Sequence, residues 1–265
     1  MEREHITPQG VSVFHDKNEN IHSFCLCLYV RAGSLFETKE NNGISHFFEH
    51  IVFKNIHYQM GENLYQTLDR CGLDFNASTY EEFIQFIITG APAHFEEAAE
   101  ILTGIFEPIT LPEEVIDTER KRIKAEIREE DEESSLGYFT KKIAWKNTSL
   151  ERTITGKKKT LDKIKGKQLR KFQKEVLSSN NIFFYISGNY PETAVVTVTK
   201  LMENYPLTVM KKERKNLAPV PKRFFARKPK VYVKNSKKTC VCFSVDINAS
   251  NYTCLLYTSP SPRDA

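Results

Sequence analysis

The sequence has no long apolar run and little net charge, and each absence excludes a class of protein. Its longest apolar run is far shorter than the roughly 20 residues of a transmembrane helix. The opening residues, MEREHITPQG, are polar and lack the apolar core of a signal peptide. The net charge is only +4, and the basic residues are interleaved with Glu and apolar residues rather than with stacking aromatics. We therefore expect no membrane partner and no nucleic-acid partner.

The six cysteines lack the Cys-x-x-Cys spacing that is common in zinc-binding modules. Cys25 and Cys27 form one Cys-x-Cys pair within an apolar, strand-like run, and Cys240 and Cys242 form another. Residues two apart in a strand share a face, so each pair is expected to point into packing. A metal–thiolate site is the alternative. Free thiols fit a reducing compartment, and we expect a cytoplasmic location.

Hydrophobic periodicity predicts strands and helices that alternate irregularly. Strands are expected at residues 10–16 and 22–31 and in the segments LDFNAST, EEFIQFIITG and NIFFYISG. Helices are expected at residues 43–56, 62–71, 93–107, 112–132, 134–146, 167–178 and 191–204. This mixture is typical of an α+β layer fold. A Lys-rich, Pro-bearing stretch at residues 206–222 is interpreted as a linker.

The last residues, 254–265, differ in character from the rest of the chain. They read CLLYTSPSPRDA, which resembles the translation of a sequencing-library adapter. We interpret them as a non-native, adapter-derived tail, and a Pro/Ser-rich disordered tail is the alternative. On the first interpretation the natural chain is expected to continue past Thr253.

The segment HFFEH, residues 46–50, carries the chemistry. On a helix, positions i, i+3 and i+4 share a face, so His46, Glu49 and His50 are expected to project together. Two imidazoles at this spacing can coordinate one Zn²⁺, and the carboxylate between them can reach a water at the metal. The order is the reverse of H-E-x-x-H and is a known motif class. The alternative is a pair of helix histidines packed among phenylalanines.

A catalytic zinc needs a third protein ligand from another element, with one position left open. The helix expected at residues 112–132 supplies Glu119 and Glu126, which are seven residues apart and therefore on one stripe. Glu129 and Glu130 are further carboxylates in the same segment. Periodicity alone cannot choose among them, and a solvated acidic face would explain them all.

Longer segments resemble the pitrilysin/insulinase family of zinc metallopeptidases, the inverzincins. RAGSLFETKENNGISHFFEHIVFKN, GLDFNASTYEEF, ERKRIKAEI and LERTITGKKKTLDKIKGKQLRKFQKEVLSSNNIFFYISGNY are each similar to parts of the family's active-site domain. The likeness covers about residues 10–205 and is greatest to the branch that includes mitochondrial processing peptidase. One departure follows Asp131, where DEESSLGYF replaces the family's Pro-containing turn.

The resemblance implies roles for particular residues. His46, His50 and Glu126 would bind one zinc per domain, Glu49 would be the general base, and Glu119 would support the site from behind the ligands. An extended peptide substrate would lie along Asn76, Ala77, Ser78 and Thr79 and pair as an added strand.

The implied fold is an α+β domain with a largely antiparallel sheet and helices packed on one side. Residues 1–205 would be the zinc-bearing catalytic domain, and residues 223–253 the truncated start of a second, similar domain. The expected partner is the second half of the same chain or a related subunit, which makes a dimer.

The expected activity is that of a zinc metalloendopeptidase that hydrolyses peptides or unfolded protein segments. Two rival functions come from other classes. One is a non-catalytic, peptide-binding subunit of a heteromeric peptidase, although such members of the family usually lack part of the zinc motif. The other is a nucleic-acid-binding module built on the basic second half, whose affinity would depend on salt and not on zinc.

Overall fold

A computed structural model describes residues 3–130 and 135–209, together with the isolated positions 231 and 241. The expected second-domain segment and the tail therefore lie outside the described residues, apart from positions 231 and 241, and so does most of the expected linker. The division of the chain into domains stays a prediction.

One sheet organises the described part of the chain. Its strands are β1 (Arg3–Ile6), β2 (Ser12–Lys17), β3 (Phe24–Val30), β4 (Asp74–Thr79), β5 (Ile84–Gly90) and β6 (Ile182–Gly188). Their order across the sheet is β1-β2-β6-β3-β5-β4. Only β2 and β6 pair in parallel among these strands; the other neighbours are antiparallel. The prediction of a largely antiparallel sheet is confirmed.

Eight α-helices accompany the sheet in the described residues. They are α1 (Ile44–Met60), α2 (Asn63–Cys71), α3 (Phe95–Thr103), α4 (Glu113–Glu130), α5 (Leu136–Ala144), α6 (Lys158–Leu161), α7 (Gly166–Val176) and α8 (Ala194–Met202). Short 3₁₀ turns at Pro92–His94 and Gly104–Phe106 extend the ends of α3. The α+β prediction is thus confirmed as well.

The burial of alternate side chains along the strands shows which face of the sheet the helices cover. In β3, Leu26, Leu28 and Val30 are fully buried, while Cys25 and Tyr29 at alternate positions are half-buried and Cys27 is buried. Successive side chains in a strand point to opposite faces, so the aliphatic residues line one face. The helices pack on this face, with α1 and α3 in contact with the sheet. The core therefore lies between one face of the sheet and the helical layer.

The β4–β5 hairpin sets the border of the functional region. It pairs Asp74 with Thr89 at its base and Thr79 with Ile84 near its turn. β4 is an edge strand, and β5 is its only neighbour among the described strands. α1 contacts both β4 and α4, so residues from all three elements meet at this edge.

None of the described helices has the length and apolar character that crossing a membrane requires.

Candidate active site

The conformation of Gly43 sets where α1 begins. Gly43 has a left-handed backbone with φ of 96°. A Cβ atom there would lie 2.8 Å from the carbonyl oxygen of Thr155, so only glycine fits. The helix that follows carries His46, Glu49 and His50, and its start fixes their direction.

A buried carboxylate caps this helix. Oε1 of Glu37 accepts a hydrogen bond from the Ser45 amide (2.9 Å), and Oε2 accepts from the Gly43 amide (2.8 Å) and from Nδ2 of Asn42 (2.8 Å). Helix N-termini carry unpaired N–H groups and partial positive charge, and a carboxylate satisfies both. Burial raises the pKa of Glu37, while these hydrogen bonds act in the opposite direction. The cap anchors the first turn of α1 one residue before His46.

Two imidazoles and one carboxylate converge where α1 crosses α4. Nε2 of His46 lies 3.8 Å from Oε1 of Glu126, and Nε2 of His50 lies 3.5 Å from Oε2 of the same residue. One ligand atom from each of the three residues lies within 4.8 Å of the other two. Ligands about 2.1 Å from a tetrahedral zinc are about 3.4 Å apart, so little movement would close the site.

The protonation of His46 suits a metal ligand. Burial, and then the neighbouring His50, lower the pKa of His46 to about 3. Its imidazole is therefore neutral, which is the form that binds a metal. Its Nδ1 atom is buried and has no hydrogen-bond partner among the described residues. Two imidazoles with one carboxylate are a donor set that fits zinc and leaves a position open.

Glu49 lies beside the ligand cluster and does not belong to it. Its Oε2 accepts a hydrogen bond of 2.5 Å from Oγ1 of Thr79 on β4. Burial raises the pKa of Glu49, and the hydrogen bond from Thr79 and the charge of His50 oppose that rise. A carboxylate with a raised pKa is a better proton acceptor than an exposed one. The arrangement leaves Glu49 free to act on a substrate or a water.

Glu119 lies behind His50, two turns before Glu126 on α4. Its Oε2 is 3.6 Å from Nδ1 of His50, and its Oε1 is 3.8 Å from Nζ of Lys54. The hydrogen bond with His50 lowers the pKa of Glu119 most, and the charges of Lys54 and Arg122 add to this against the effect of burial. Glu119 is therefore ionised and can orient the ring of His50.

The structure separates the candidate third ligands. Only Glu126 reaches both imidazole Nε2 atoms, whereas Glu119 faces Nδ1 of His50. Glu129 is exposed to solvent, and the side chain of Glu130 lies outside the described residues. The assignment of zinc to His46, His50 and Glu126 stays a prediction that this geometry supports.

The predicted substrate residues lie along β4. Asn76 and Ser78 are exposed, and Ala77 and Thr79 are half-buried. A cavity of about 330 Å³ adjoins two of them, Asn76 and Ala77. Its lining also includes Glu49, His50, Phe53 and Phe75. The edge strand, His50 of the zinc cluster and Glu49 thus border one cavity, in which a bound peptide could lie.

Three features of the site were not predicted from the sequence. They are the cap of Glu37, the hydrogen bond from Thr79 to Glu49, and the position of Lys54 and Arg122 around Glu119. Thr79 was expected only as part of the substrate edge. Its side chain also holds the carboxylate that is expected to move the proton.

Comparison with known proteins identifies the family. Residues 12–158, more than half of the chain, match the family described as Insulinase (Peptidase family M16). The chain belongs to this peptidase family. The expected resemblance is confirmed, and so is the likeness to mitochondrial processing peptidase, because relatives of that name are among the matches.

Two curated members of the insulinase family show how much of a relative the chain spans. It is 26% identical over 198 residues to the uncharacterized zinc protease YmxG of Bacillus subtilis (strain 168), covering 74% of this chain and 48% of that protein. It is 31% identical over 156 residues to the mitochondrial-processing peptidase subunit beta of Rattus norvegicus, covering 58% and 32%. The chain thus spans half or less of these relatives.

A solved structure of the insulinase family shares the fold. It is the peptidase M16 inactive domain from Pseudomonas fluorescens, with a TM-score of 0.70 and 14% identity. The likeness covers 80% of this chain and 53% of that one. It supports the architecture alone.

Proposed function

We propose that this chain carries the catalytic half of a zinc metalloendopeptidase that cleaves peptides or unfolded protein segments. The observation that carries the proposal is the meeting of His46, His50 and Glu126 beside Glu49. Membership of the insulinase family and the zinc protease among its relatives support a peptidase that uses this metal.

One zinc ion would be held by His46, His50 and Glu126. When bound in such a site, zinc acts as a Lewis acid that activates water for attack on a carbonyl. Glu49 would accept the proton of the attacking water and then pass it to the leaving amine. Thr79 would hold the Glu49 carboxylate in place through both transfers. Glu119 would keep the His50 ring in its ligating orientation.

The peptide substrate would lie along β4 as an added strand. The outer edge of β4 has no neighbouring strand in the described residues, so its backbone groups can pair with an extended peptide. Asn76, Ala77, Ser78 and Thr79 would provide this edge. Pairing through the backbone selects extended, unfolded segments, which agrees with the proposed class of substrate.

The proposed partner is a second half, either in the same chain or in a related subunit, so that the active protein is a dimer of similar halves. The name of one relative, subunit beta of mitochondrial-processing peptidase, supports such an assembly. A cytoplasmic location belongs to the proposal as well. Cys25, Cys27 and Cys71 are free thiols, which fits a reducing compartment.

A non-catalytic, peptide-binding subunit is the second candidate function. One solved domain of the family is described as inactive, so membership of the family does not by itself decide between the two candidates. The presence of His46, His50, Glu126 and Glu49 together in one site favours catalysis. The two candidates differ in whether peptide cleavage depends on Glu49.

The deciding experiment is Glu49→Gln in the chain together with its proposed second half. We expect unchanged zinc content and a loss of cleavage rate of about 10²–10⁴-fold, the usual contribution of a general base. Glu62→Gln, at an exposed position just after α1, is the matched control and should cleave at the normal rate. Cleavage by Glu49→Gln at the normal rate would overturn the mechanism. Peptide binding without cleavage in the unsubstituted protein would favour the non-catalytic candidate.

A further inference from the structure

A second group of metal-binding side chains lies away from the active site. Cys71 is the last residue of α2, His94 lies in the turn at Pro92–His94, and Glu97 lies in the first turn of α3. One ligand atom from each of these residues lies within 4.8 Å of the other two. They provide a thiol, an imidazole and a carboxylate, which are the three ligand types that zinc takes in proteins.

We propose that Cys71, His94 and Glu97 form a structural site for a second divalent ion of the zinc class. The spacing of the donors supports this. Sγ of Cys71 is 3.9 Å from Oε1 of Glu97, and Nδ1 of His94 is 3.4 Å from the same oxygen. Around one tetrahedral zinc, with Zn–S of about 2.3 Å and Zn–N and Zn–O of about 2.1 Å, these separations are about 3.6 and 3.4 Å. These two separations are therefore within a few tenths of an ångström of that geometry, and the third pair of donors lies within 4.8 Å.

The exposure of the three side chains fits entry of an ion from solvent. Cys71 is 5% exposed, so its sulfur is shielded. The side chains of His94 and Glu97 are 36% and 35% exposed, which leaves an open side for the ion and for a water as fourth ligand. When the ion binds, the Cys71 thiol loses its proton to solvent as the sulfur–metal bond forms. No oxidant or reductant is required.

The position of this cluster suggests what the ion would do. Cys71 lies just before β4 begins at Asp74, and His94 follows the end of β5 at Gly90. The cluster therefore joins the two chain segments at the base of the β4–β5 hairpin. The same hairpin carries Thr79, which holds Glu49. A metal at the base would restrain the strand on which the proposed substrate edge and Thr79 lie.

The alternative is an ordinary surface ion pair between His94 and Glu97, three residues apart at a helix start, beside a buried thiol. Such a pair would bind no metal. The two explanations differ in metal content and in whether sulfur contacts the ion, and both can be measured without any assay of activity.

Cobalt(II) titration of the chain distinguishes the metal site from the ion pair. The proposed active-site ligands contain no sulfur, so a thiolate signal would come from the second site. We expect two cobalt ions per chain and a near-ultraviolet thiolate-to-cobalt charge-transfer band. Cys71→Ser and His94→Gln should each lose the second ion; Cys71→Ser should also lose the band. Glu126→Gln should lose the first ion and keep the band. Cys25→Ser is the matched thiol control and should keep both.

Several results would overturn the site. One is a single cobalt per chain without a thiolate band. Another is persistence of the band in Cys71→Ser, which would assign it to another of the six cysteines. Because His94 is partly exposed, His94→Gln tests the site with little risk to folding. A single cobalt per chain that does give the thiolate band would instead count against the proposed active site. Failure of the second site and failure of the active site are therefore distinguishable.

Amide hydrogen exchange tests the proposed effect on the hairpin. In Glu126→Gln only the second site remains, so added zinc should slow exchange in β4 and β5. The same addition should have no effect when Cys71→Ser is combined with Glu126→Gln. Equal exchange rates in β4 and β5 of both proteins after zinc is added would show that the metal does not restrain the hairpin.

Discussion

Oε2 of Glu119 lies 3.6 Å from Nδ1 of His50, the ring nitrogen opposite the one that faces Glu126. The two carboxylates lie on one face of α4, two turns apart, and contact opposite nitrogens of the His50 imidazole. Because Nδ1 faces Glu119, Nε2 is the nitrogen left to bind a metal. Glu119 therefore acts on the metal through His50.

We predict that Glu119→Gln weakens zinc binding by about 10–100-fold without abolishing it, as loss of a carboxylate behind a metal-binding histidine does. Competition with a chelator of known affinity measures the change. Glu114→Gln, at an exposed position on the same helix, is the control and should bind zinc normally. An unchanged affinity in Glu119→Gln would show that the contact with His50 has no part in holding the ion.

The second prediction concerns the ligand itself. Among the described residues Glu126 supplies the only carboxylate that reaches both imidazole Nε2 atoms, so Glu126→Gln should lose the active-site zinc at stoichiometric concentrations. Glu129→Gln, three residues later and exposed, should retain it. Metal analysis after gel filtration gives the answer. The opposite pattern, with zinc kept in Glu126→Gln and lost in Glu129→Gln, would mean that the third ligand is assigned wrongly.

The third prediction concerns the hydrogen bond from Thr79 to Glu49. Thr79→Val keeps the shape of the side chain and removes the hydroxyl, so the carboxylate loses its fixed orientation. In the chain together with its proposed second half, we expect normal zinc content and a fall in kcat of about tenfold, which corresponds to roughly 1.4 kcal/mol in the activation barrier. Thr79→Ser restores a hydroxyl and should recover most of the rate. If valine and serine gave equal kcat values, the hydroxyl would have no role in catalysis.

The ligand helix could be predicted from local sequence because its signals are local. HFFEH places His46 and His50 on one face by helix geometry alone, and α1 covers the predicted residues 43–56 except Gly43, which caps it. The helix runs on to Met60 rather than ending at residue 56, because nothing before Gly61 interrupts it. The β4–β5 hairpin could likewise be predicted, because side chains of alternating character mark its second strand.

Long-range features could not be predicted from periodicity. Choosing Glu126 over Glu119 depends on how α1 crosses α4, and only the family resemblance favoured it in advance. The strand Arg3–Ile6 is exposed along its whole length, so it shows no alternating pattern and was not expected. The cluster of Cys71, His94 and Glu97 joins residues from two segments that no motif connects.

The fourth prediction concerns the cap of α1. Glu37→Gln replaces one carboxylate oxygen by an NH₂ group, which would face an N–H donor instead of accepting from it. At a buried position we expect a loss of about 1–3 kcal/mol in the free energy of unfolding. Glu40→Gln, exposed in the same loop, should change it little. Urea denaturation of both variants is the measurement, and equal midpoints would contradict a capping role.

The last prediction separates metal binding from catalysis. All the proposed ligands, with Glu49 and Thr79, come from the described part of this chain, so the chain alone should bind zinc. It spans only 48% of one curated relative and 32% of another. β4 can hold a peptide along one edge only, and effective positioning can contribute about 7–11 kcal/mol to catalysis. We therefore expect weak or absent cleavage by the chain alone.

Adding the second half, as continuous chain or as a related subunit, should raise cleavage strongly at unchanged zinc content. The rate is compared per mole of bound zinc, with Glu49→Gln measured in parallel to subtract any contaminating protease. Thermal unfolding of the chain alone checks that the comparison is between folded proteins. Equal specific activity with and without the second half would show that a single domain positions the peptide sufficiently. The substrate would then be held by β4 and the adjoining cavity alone, and the two-half account of the site would be wrong.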